Sequence, residues 1–589
     1  MTQGPSYVEN DEIARRLMDV GLLLQIQGAN PFRVRAYENA ARTVETHATP
    51  MHALVEAGAD LTDLPAVGKD MARHIHEMVT TGHLSVLDEL SKEIPRTLID
   101  MIRLPGVGPK RAKKLWQSLG VQTIEQLEAV AQAGAVQELE GFGLKTEQRI
   151  LQGIANLKQR QGRFKLSDAD ALIGPLLAHL RAHPGVQRVE VAGSYRRRVE
   201  TVGDIDLLAI ADDAESVMDH FTTFPRVKRV EKSGGTRGTV ILSSDLQVDL
   251  RIVPAESYGA ALQYFTGSKA HNVKFRTKAV ARGLRVSEYG VFEVDPDQDP
   301  ETADPRSGRR VAGDTEASVY AAVGLPWIPA ELREDRGEIA AAERGTLPSL
   351  VTVGAMRGDL QMHSTWSDGK HSIEEMLVGC AARGYEYFAL TDHSKSLAMT
   401  GGLDEVALRE QWREIDDVTA RHPEIRLLRS MEIDILRDGS LDLADEMIAQ
   451  LDIAVVSIHS LFDLPSGTQT ARIVKALEHA GVHVLAHPTG RLINRREPIA
   501  FDLDAVLQCA KAHNVAVELN AHPNRLDLKD TQVVLAREMG VRVVISTDAH
   551  RVEELDLMRY GVEQARRAWL EPAHVLNTLP LPALLATLG

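Results

Sequence analysis

A chain of 589 residues, 44% hydrophobic and 25% charged, is too long for one core and reads as an ordinary globular chain of several domains. Two cysteines, Cys380 and Cys509, exclude a disulfide framework and a cysteine zinc finger, and no apolar run approaches the roughly 20 residues that span a bilayer. The net charge of −16 is uneven: residues 1–300 carry 37 Lys and Arg against 39 Asp and Glu, leaving 30 against 44 for the rest, so the front half can still meet a polyanion. With no charged-then-apolar N-terminal pattern, a cytoplasmic protein without membrane contact is expected.

Over the first 160 residues the periodicity is helical and broken by glycines. The sharpest break, Leu104 to Ala112 (Leu-Pro-Gly-Val-Gly-Pro-Lys-Arg-Ala), resembles a helix-hairpin-helix, a module that grips a DNA backbone without reading sequence. Gly106 and Gly108 allow close approach to a phosphate, the following helix offers free N–H groups, and Lys110 adds charge. Leu64 to Lys69, with Gly68 and Lys69, looks like a first copy, and Leu139 to Leu144 like a third. Lys110, Arg111, Lys113 and Lys114 form a cationic cluster. The expected division is 1–92 as a helical domain with the first hairpin and 93–162 as a second DNA-binding subdomain. Two hairpins would hold both sides of a nick or gap.

Next come Gly193-Ser194-Tyr195-Arg196-Arg197, Asp204-Ile205-Asp206 and Val248-Asp249-Leu250. The apolar runs 205–210 and 247–253 read as strands, so Asp204 and Asp206 share one face and Asp249 comes alongside from a neighbour. Three carboxylates together repel unless a divalent cation relieves them; hard oxygen donors suit two Mg²⁺ or Mn²⁺ ions and nucleotidyl transfer. This spacing resembles the family X DNA polymerases, the group of DNA polymerase beta. The resemblance implies a nucleotidyltransferase palm over 163–255 and a nucleotide-selection subdomain over 256–328, acting on dNTPs. It implies that Asp204, Asp206 and Asp249 are catalytic, and that Gly193, Ser194 and Arg197 bind phosphates. Tyr264, Phe265 and Gly267 would flank the deoxyribose, Asn272 would contact the incoming base, and Arg276 the template strand. Aligned on Val67-Gly68, His74 stands where eukaryotic members carry a Schiff-base lysine, so lyase chemistry by that route is not expected; Lys69 and Arg73 could neutralise a 5′-phosphate.

Residues 295–310 read as a polar loop, Pro326 to Pro329 as the close of the front part, and Glu331 to Leu350 as an exposed acidic linker, placed at 329–353. From Val351, apolar runs ending in His, Asp or Glu alternate with helical stretches, the pattern of a βα barrel with its site at the strand ends. The run-ends include Glu518. Gly-Asp-Leu-x-x-His-Ser-Thr-x-Ser-Asp-Gly, Leu-Thr-Asp-His-Ser, Ala-His-Pro-Thr-Gly-Arg and Ser-Thr-Asp-Ala-His resemble the PHP domain, here 354–589. That implies a distorted (β/α)7 barrel holding up to three Mn²⁺ or Zn²⁺ ions on His363, Asp368, His393, Glu432, His459, His487, Asp548 and His550. Arg491 and Arg525, near these run-ends, read equally as ligands of the scissile or a neighbouring phosphate and as surface arginines. One departure stands out. PHP domains open on His-x-His, and here the first member is Gln361.

The whole is a multidomain α+β and α/β chain: helical front, family X palm, PHP barrel. It resembles bacterial family X polymerases with a C-terminal PHP domain. The expected function is short-gap filling in DNA repair on gapped or nicked DNA, as a monomer, with a 3′-5′ exonuclease or related phosphoesterase (abasic-site endonuclease, 3′-phosphatase) behind. An RNA or small-molecule nucleotidyltransferase would have no use for the hairpins, and a DNA-binding scaffold would need broken donor sets. Because of Gln361, a PHP domain that is only structural is the alternative.

Overall fold

The computed structural model describes residues 8–588 apart from 9, 48–50, 103, 105, 161, 295–303, 305, 398 and 399, and the chain forms two compact units, Met1–Gln161 and Gly162–Gly589. Pro105 of the second hairpin and most of the loop expected at 295–310 lie outside the described residues; Arg310 opens a short strand, Arg310–Ala312.

The first unit is helical. Helix α1 (Asn10–Gln27) packs against α2 (Pro31–Thr46), which starts with proline at N1 and the Asn30 side chain capping Phe32 N–H. Helices α3 (Lys69–Thr81) and α4 (Pro109–Leu119) each begin after a glycine, Gly68 or Gly108, and end on a left-handed one, Gly82 or Gly120. Gly106, at φ +88°, makes the turn before α4, where a side chain would be strained. With α5 (Leu144–Arg160), these helices share one apolar core from Ile13 to Ile154. The division expected at 92/93 is therefore no break in packing: a hairpin pair is too small to bury its apolar face alone.

In the second unit, α6 (Leu166–Arg181) covers one face of a sheet of β1 (Val186–Val191), β2 (Asp204–Ala211), β3 (Val227–Gly234), β4 (Arg237–Leu242) and β5 (Gln247–Ile252), ordered β1-β2-β5-β4-β3. Only β2 and β5 run parallel, and their register sets Asp206 beside Asp249. Ile205, Leu207, Val248 and Leu250 join the core with Ile173 and Leu176 of α6; Leu208 turns to the other face, toward α7 (Tyr258–Thr266). Period-2 alternation thus sends Asp204, Asp206 and Asp249 to that second face.

Helix α8 (Lys269–Val280) follows, then a segment that corrects the linker expectation. Residues 329–345 are packed, not an exposed tether: Arg333 and Glu338 are buried, and Ile339 and Ala342 of α9 (Glu338–Arg344) share a core with Phe275 and Tyr320. The acidic density misleads because its carboxylates are internal counter-ions. Glu338 Oε1 lies 2.6 Å from His271 Nδ1, and Glu316 accepts from Arg333 at 2.7 Å.

The rest is a barrel of seven parallel strands in chain order: β6 (Gly358–Asp359), β7 (Tyr387–Leu390), β8 (Arg426–Asp434), β9 (Ile453–Ser457), β10 (Val484–Leu485), β11 (Ala516–Asn520) and β12 (Val543–Ser546). A parallel bridge, Met362 to Ala549, joins the first strand region to the last. Helices α10 (Asp530–Met539) and α11 (Met558–Arg567) lie outside. No described helix is long and apolar enough to cross a membrane.

Candidate active sites

The palm site begins at a single helical turn, Gly193–Arg196, between β1 and β2. Gly193 sits at φ +63°, and a Cβ there would stand 2.6 Å from Asp206 Oδ2. Only glycine permits that approach. Asp206 is partly buried, and burial first, then the charges of Asp204 and Asp249, lift its carboxyl to about 6 against the pull of Arg251 and Arg197. Asp249 accepts from Thr239 Oγ1 at 2.5 Å and Gln247 Nε2 at 2.7 Å. Among the described residues, sets of three His, Cys, Asp or Glu donors within 4.8 Å of one another all lie in the barrel, so the palm carboxylates are adjacent in register but not drawn together. Like charges placed side by side repel, and a shared cation would remove that repulsion.

Around this face, Arg197 donates from Nη1 to Thr266 O at 2.6 Å and from Nε to Glu334 at 3.0 Å. Tyr264 and Phe265 meet edge to face at 5.1 Å where α7 ends before Gly267, and Arg251 lies over the Phe265 ring. Asn272 is buried, donates to Tyr264 O at 2.7 Å and accepts from Gln263, so it braces the aromatic pair. Arg276 Nε reaches Asn272 O at 3.3 Å.

The barrel site gathers the eight expected residues at the C-terminal strand ends. His363, Asp368, His393 and His550 form one donor set; His393, Glu432 and His459 a second; His363, Glu432 and Asp548 a third. His487 Nε2 lies 2.9 Å from Glu432 Oε1. Burial would raise the carboxyls of Glu432 and Asp368, but surrounding imidazoles, His393 with His459 for one and His550 with His393 for the other, hold both well below the usual range. Burial opposes protonation of His550 and His459, yet Asp368 raises the first to about 10 and Glu432 the second to about 9.

The fit to metal rests on orphaned atoms. Gln361 is buried with neither side-chain atom hydrogen-bonded, and His363 Nδ1, His393 Nδ1, Glu432 Oε2, His487 Nδ1 and Glu518 Oε1 likewise lack a hydrogen-bond partner. A buried polar atom left so costs about 1–3 kcal/mol, and His363, His393 and Glu432, which share donor sets, suit cations.

Sequence reading missed the residues behind these. Asp434 stands 3.1 Å from His459 Nδ1 and so orients that ring; Asp359 accepts from Thr547 Oγ1 at 2.5 Å; Asn520 donates to Asp548 at 3.1 Å. Asp434, two residues after Glu432 on β8, could have been found by alternation alone. Glu518 accepts from His487 N–H at 2.6 Å, and burial raises its carboxyl well above the usual range. Arg491 corrects an expectation: it is buried and tied to Glu200 at 2.7 Å, so it does not face a scissile phosphate. Arg525 stays at the rim, 3.3 Å from Asp548.

In the first unit, Gly68, Lys69, Gly108 and Lys110 are exposed at their helix starts. The expected cation cluster is partly consumed: Arg111 donates to Gly106 O and Gly141 O, Lys113 to Gln27 O, Lys114 to Glu140 O. His74 is buried, its Nε2 3.1 Å from Tyr37 Oη, and burial lowers its pKa.

Three family models match: a helix-hairpin-helix domain over 8–84, a SAM-like helix-hairpin-helix tandem over 98–156 and the DNA polymerase beta thumb over 261–334. The chain is 39% identical over 572 residues, 97% of each chain, to DNA polymerase/3′-5′ exonuclease PolX of Bacillus subtilis (strain 168). It is 26% identical to DNA polymerase lambda of Arabidopsis thaliana over 56% of this chain and 63% of that one. With DNA polymerase lambda of Rattus norvegicus the identity is 24%, over 55% and 56%.

Proposed function

The chain belongs to the family X DNA polymerases of the polymerase/3′-5′ exonuclease kind, and from that premise we propose that it fills short gaps in DNA at the palm and trims DNA ends at the barrel. It is a DNA-directed DNA polymerase with a 3′-5′ exonuclease, binding DNA and dNTPs and using divalent metal. One observation carries the two-site reading: the same chain holds an all-carboxylate donor face on β2 and β5 and an imidazole-rich cluster at the barrel rim.

At the palm, Asp204, Asp206 and Asp249 hold two ions, Mg²⁺ or Mn²⁺. Bound there, such ions would acidify the attacking hydroxyl and offset charge on the leaving pyrophosphate. The chain's own part is positional. Gly193 keeps the turn against Asp206, Ser194 and Arg197 take the triphosphate, and Arg197 exchanges Glu334 for a phosphate oxygen as it does so. Tyr264 and Phe265, braced by Asn272, wall the deoxyribose beside Gly267, and Arg276 meets the template. Gly68 with Lys69, and Gly106 with Gly108 and Lys110, hold the backbone of gapped or nicked DNA.

At the barrel, His363, Asp368, His393, Glu432, His459, His487, Asp548 and His550 hold up to three Mn²⁺ or Zn²⁺ ions; Asp434 fixes His459, and Arg525 reaches for phosphate. The Gln361 amide is a harder, weaker donor than imidazole and favours Mn²⁺ over Zn²⁺. The protein acts as a monomer in the cytoplasm. Purified protein with a labelled gapped duplex and Mn²⁺ tests both sites: extension with dNTPs and shortening without them are expected, and failure of either removes that site's role.

A further inference from the structure

A cavity of about 470 Å³ opens where the palm turn meets the barrel, with Ser194 and Arg197 on one wall. Arg336, Lys529 and Arg567 stand on the other, and Arg163 lies beside α6; these five cations face three carboxylates, so the cavity is net positive. Most of the cations are committed. Arg567 and Arg336 share Asp530 at 2.8 and 3.0 Å, and Glu334 spans Arg197 and Arg567 at 3.0 and 2.9 Å. Lys529 is held more loosely: its side chain is 47% exposed and its ion pair with Glu200 is long, 3.6 Å, on a carboxylate whose other oxygen takes Arg491 at 2.7 Å.

Nucleotidyl transfer joins the primer 3′-oxygen to the α-phosphorus and breaks the bond from that phosphorus to the bridging oxygen, which leaves with the electron pair as pyrophosphate. The leaving group therefore departs on the side of Ser194 and Arg197, into a space whose far wall belongs to the barrel. We propose that this cavity binds the polyphosphate end of the reaction, the departing pyrophosphate, and that barrel residue Lys529 turns from its long pair with Glu200 to supply a cation to it. The proposal rests on the triphosphate reading of Ser194 and Arg197. It ties the hydrolytic domain to the polymerase reaction through product handling, with no contact to the barrel's metal donors.

The test uses the full chain on a gapped duplex with dNTPs and Mg²⁺, comparing Lys529→Ala and Lys529→Arg in added pyrophosphate. We expect Lys529→Ala to raise the inhibitory pyrophosphate concentration about three- to tenfold and to slow pyrophosphorolysis comparably, the range of one charge-assisted contact at a part-exposed site, and Lys529→Arg to restore both. A matching rise in KM for dNTP would identify the γ-phosphate of the bound nucleotide as the ligand, and a rise confined to pyrophosphate the released product. Unchanged pyrophosphate and dNTP constants in Lys529→Ala, with synthesis abolished by Asp249→Ala, would overturn the cavity proposal alone. Synthesis that survives Asp249→Ala would instead bring down the palm reading beneath it.

Discussion

Asp249 is the best-anchored of the palm carboxylates, since Thr239 and Gln247 both donate to it and fix where its oxygens lie. Its removal takes out a donor that no neighbour can replace. Asp249→Ala should lower gap extension by on the order of a thousandfold while end trimming by the barrel keeps its rate, read on the same labelled duplex with and without dNTPs. Loss of both activities together would contradict two separate sites. At the barrel the instructive residue is Gln361, buried with an unpaired amide. An imidazole there would bind more strongly than a neutral carbonyl oxygen. Gln361→His should therefore retain more metal after dialysis against chelator, by elemental analysis, and trim ends at least as fast; metal content no higher than the parent's would show that the side chain does not reach an ion.

At the scale of elements, the turn after β1 is held by a network from the thumb. Arg196 makes a bidentate pair with Glu316 at 2.7 Å, and buried Arg333 donates to the same carboxylate. Burial alone would raise the Glu316 carboxyl, but the two guanidinium groups draw it down to about 2. A depressed carboxyl stabilises the fold above its unfolded value near 4.5, and that contribution is lost as pH falls from there toward 2. Glu316→Gln should cost about 3 kcal/mol at pH 7, because buried Arg333 and partly buried Arg196 lose their counter-ion, and the difference from the parent should narrow below about pH 4 in urea titrations. A gap independent of pH would mean lost packing instead. What the sequence made legible follows the same scale. The alternation Asp-Ile-Asp-Leu disclosed which face the palm carboxylates share, and the run-ends disclosed which residues gather at the barrel's strand ends, because both are short-range patterns. Glu316 as partner of Arg196, 120 residues away, and Arg491 as partner of Glu200, 291 residues away, have no local signature. That is why residues 329–353 read as an exposed linker and Arg491 as a candidate for phosphate.

For the whole molecule, a net charge of −16 asks how the protein holds a polyanion at all. Under the proposed function the answer is few contacts, well presented: Lys69 and Lys110 are exposed at helix starts behind glycines. Lys110→Ala should weaken DNA binding across sequences and reduce the slope of log affinity against log salt by about 1; an unchanged slope would remove Lys110 from the interface. The barrel's geometry has a further consequence. Its donors come from the ends of six of the seven strands, and its first and last strand regions meet at one bridge, Met362 to Ala549, directly beside His363 and Asp548. Ions seated there would act like a hoop on staves, with the bonds that do the chemistry also keeping the cylinder shut. Slack in the hoop and a missing reagent would then look alike in an activity assay. The lost hydrolysis of any donor variant can be assigned to chemistry only when the closure of the staves has been measured beside it.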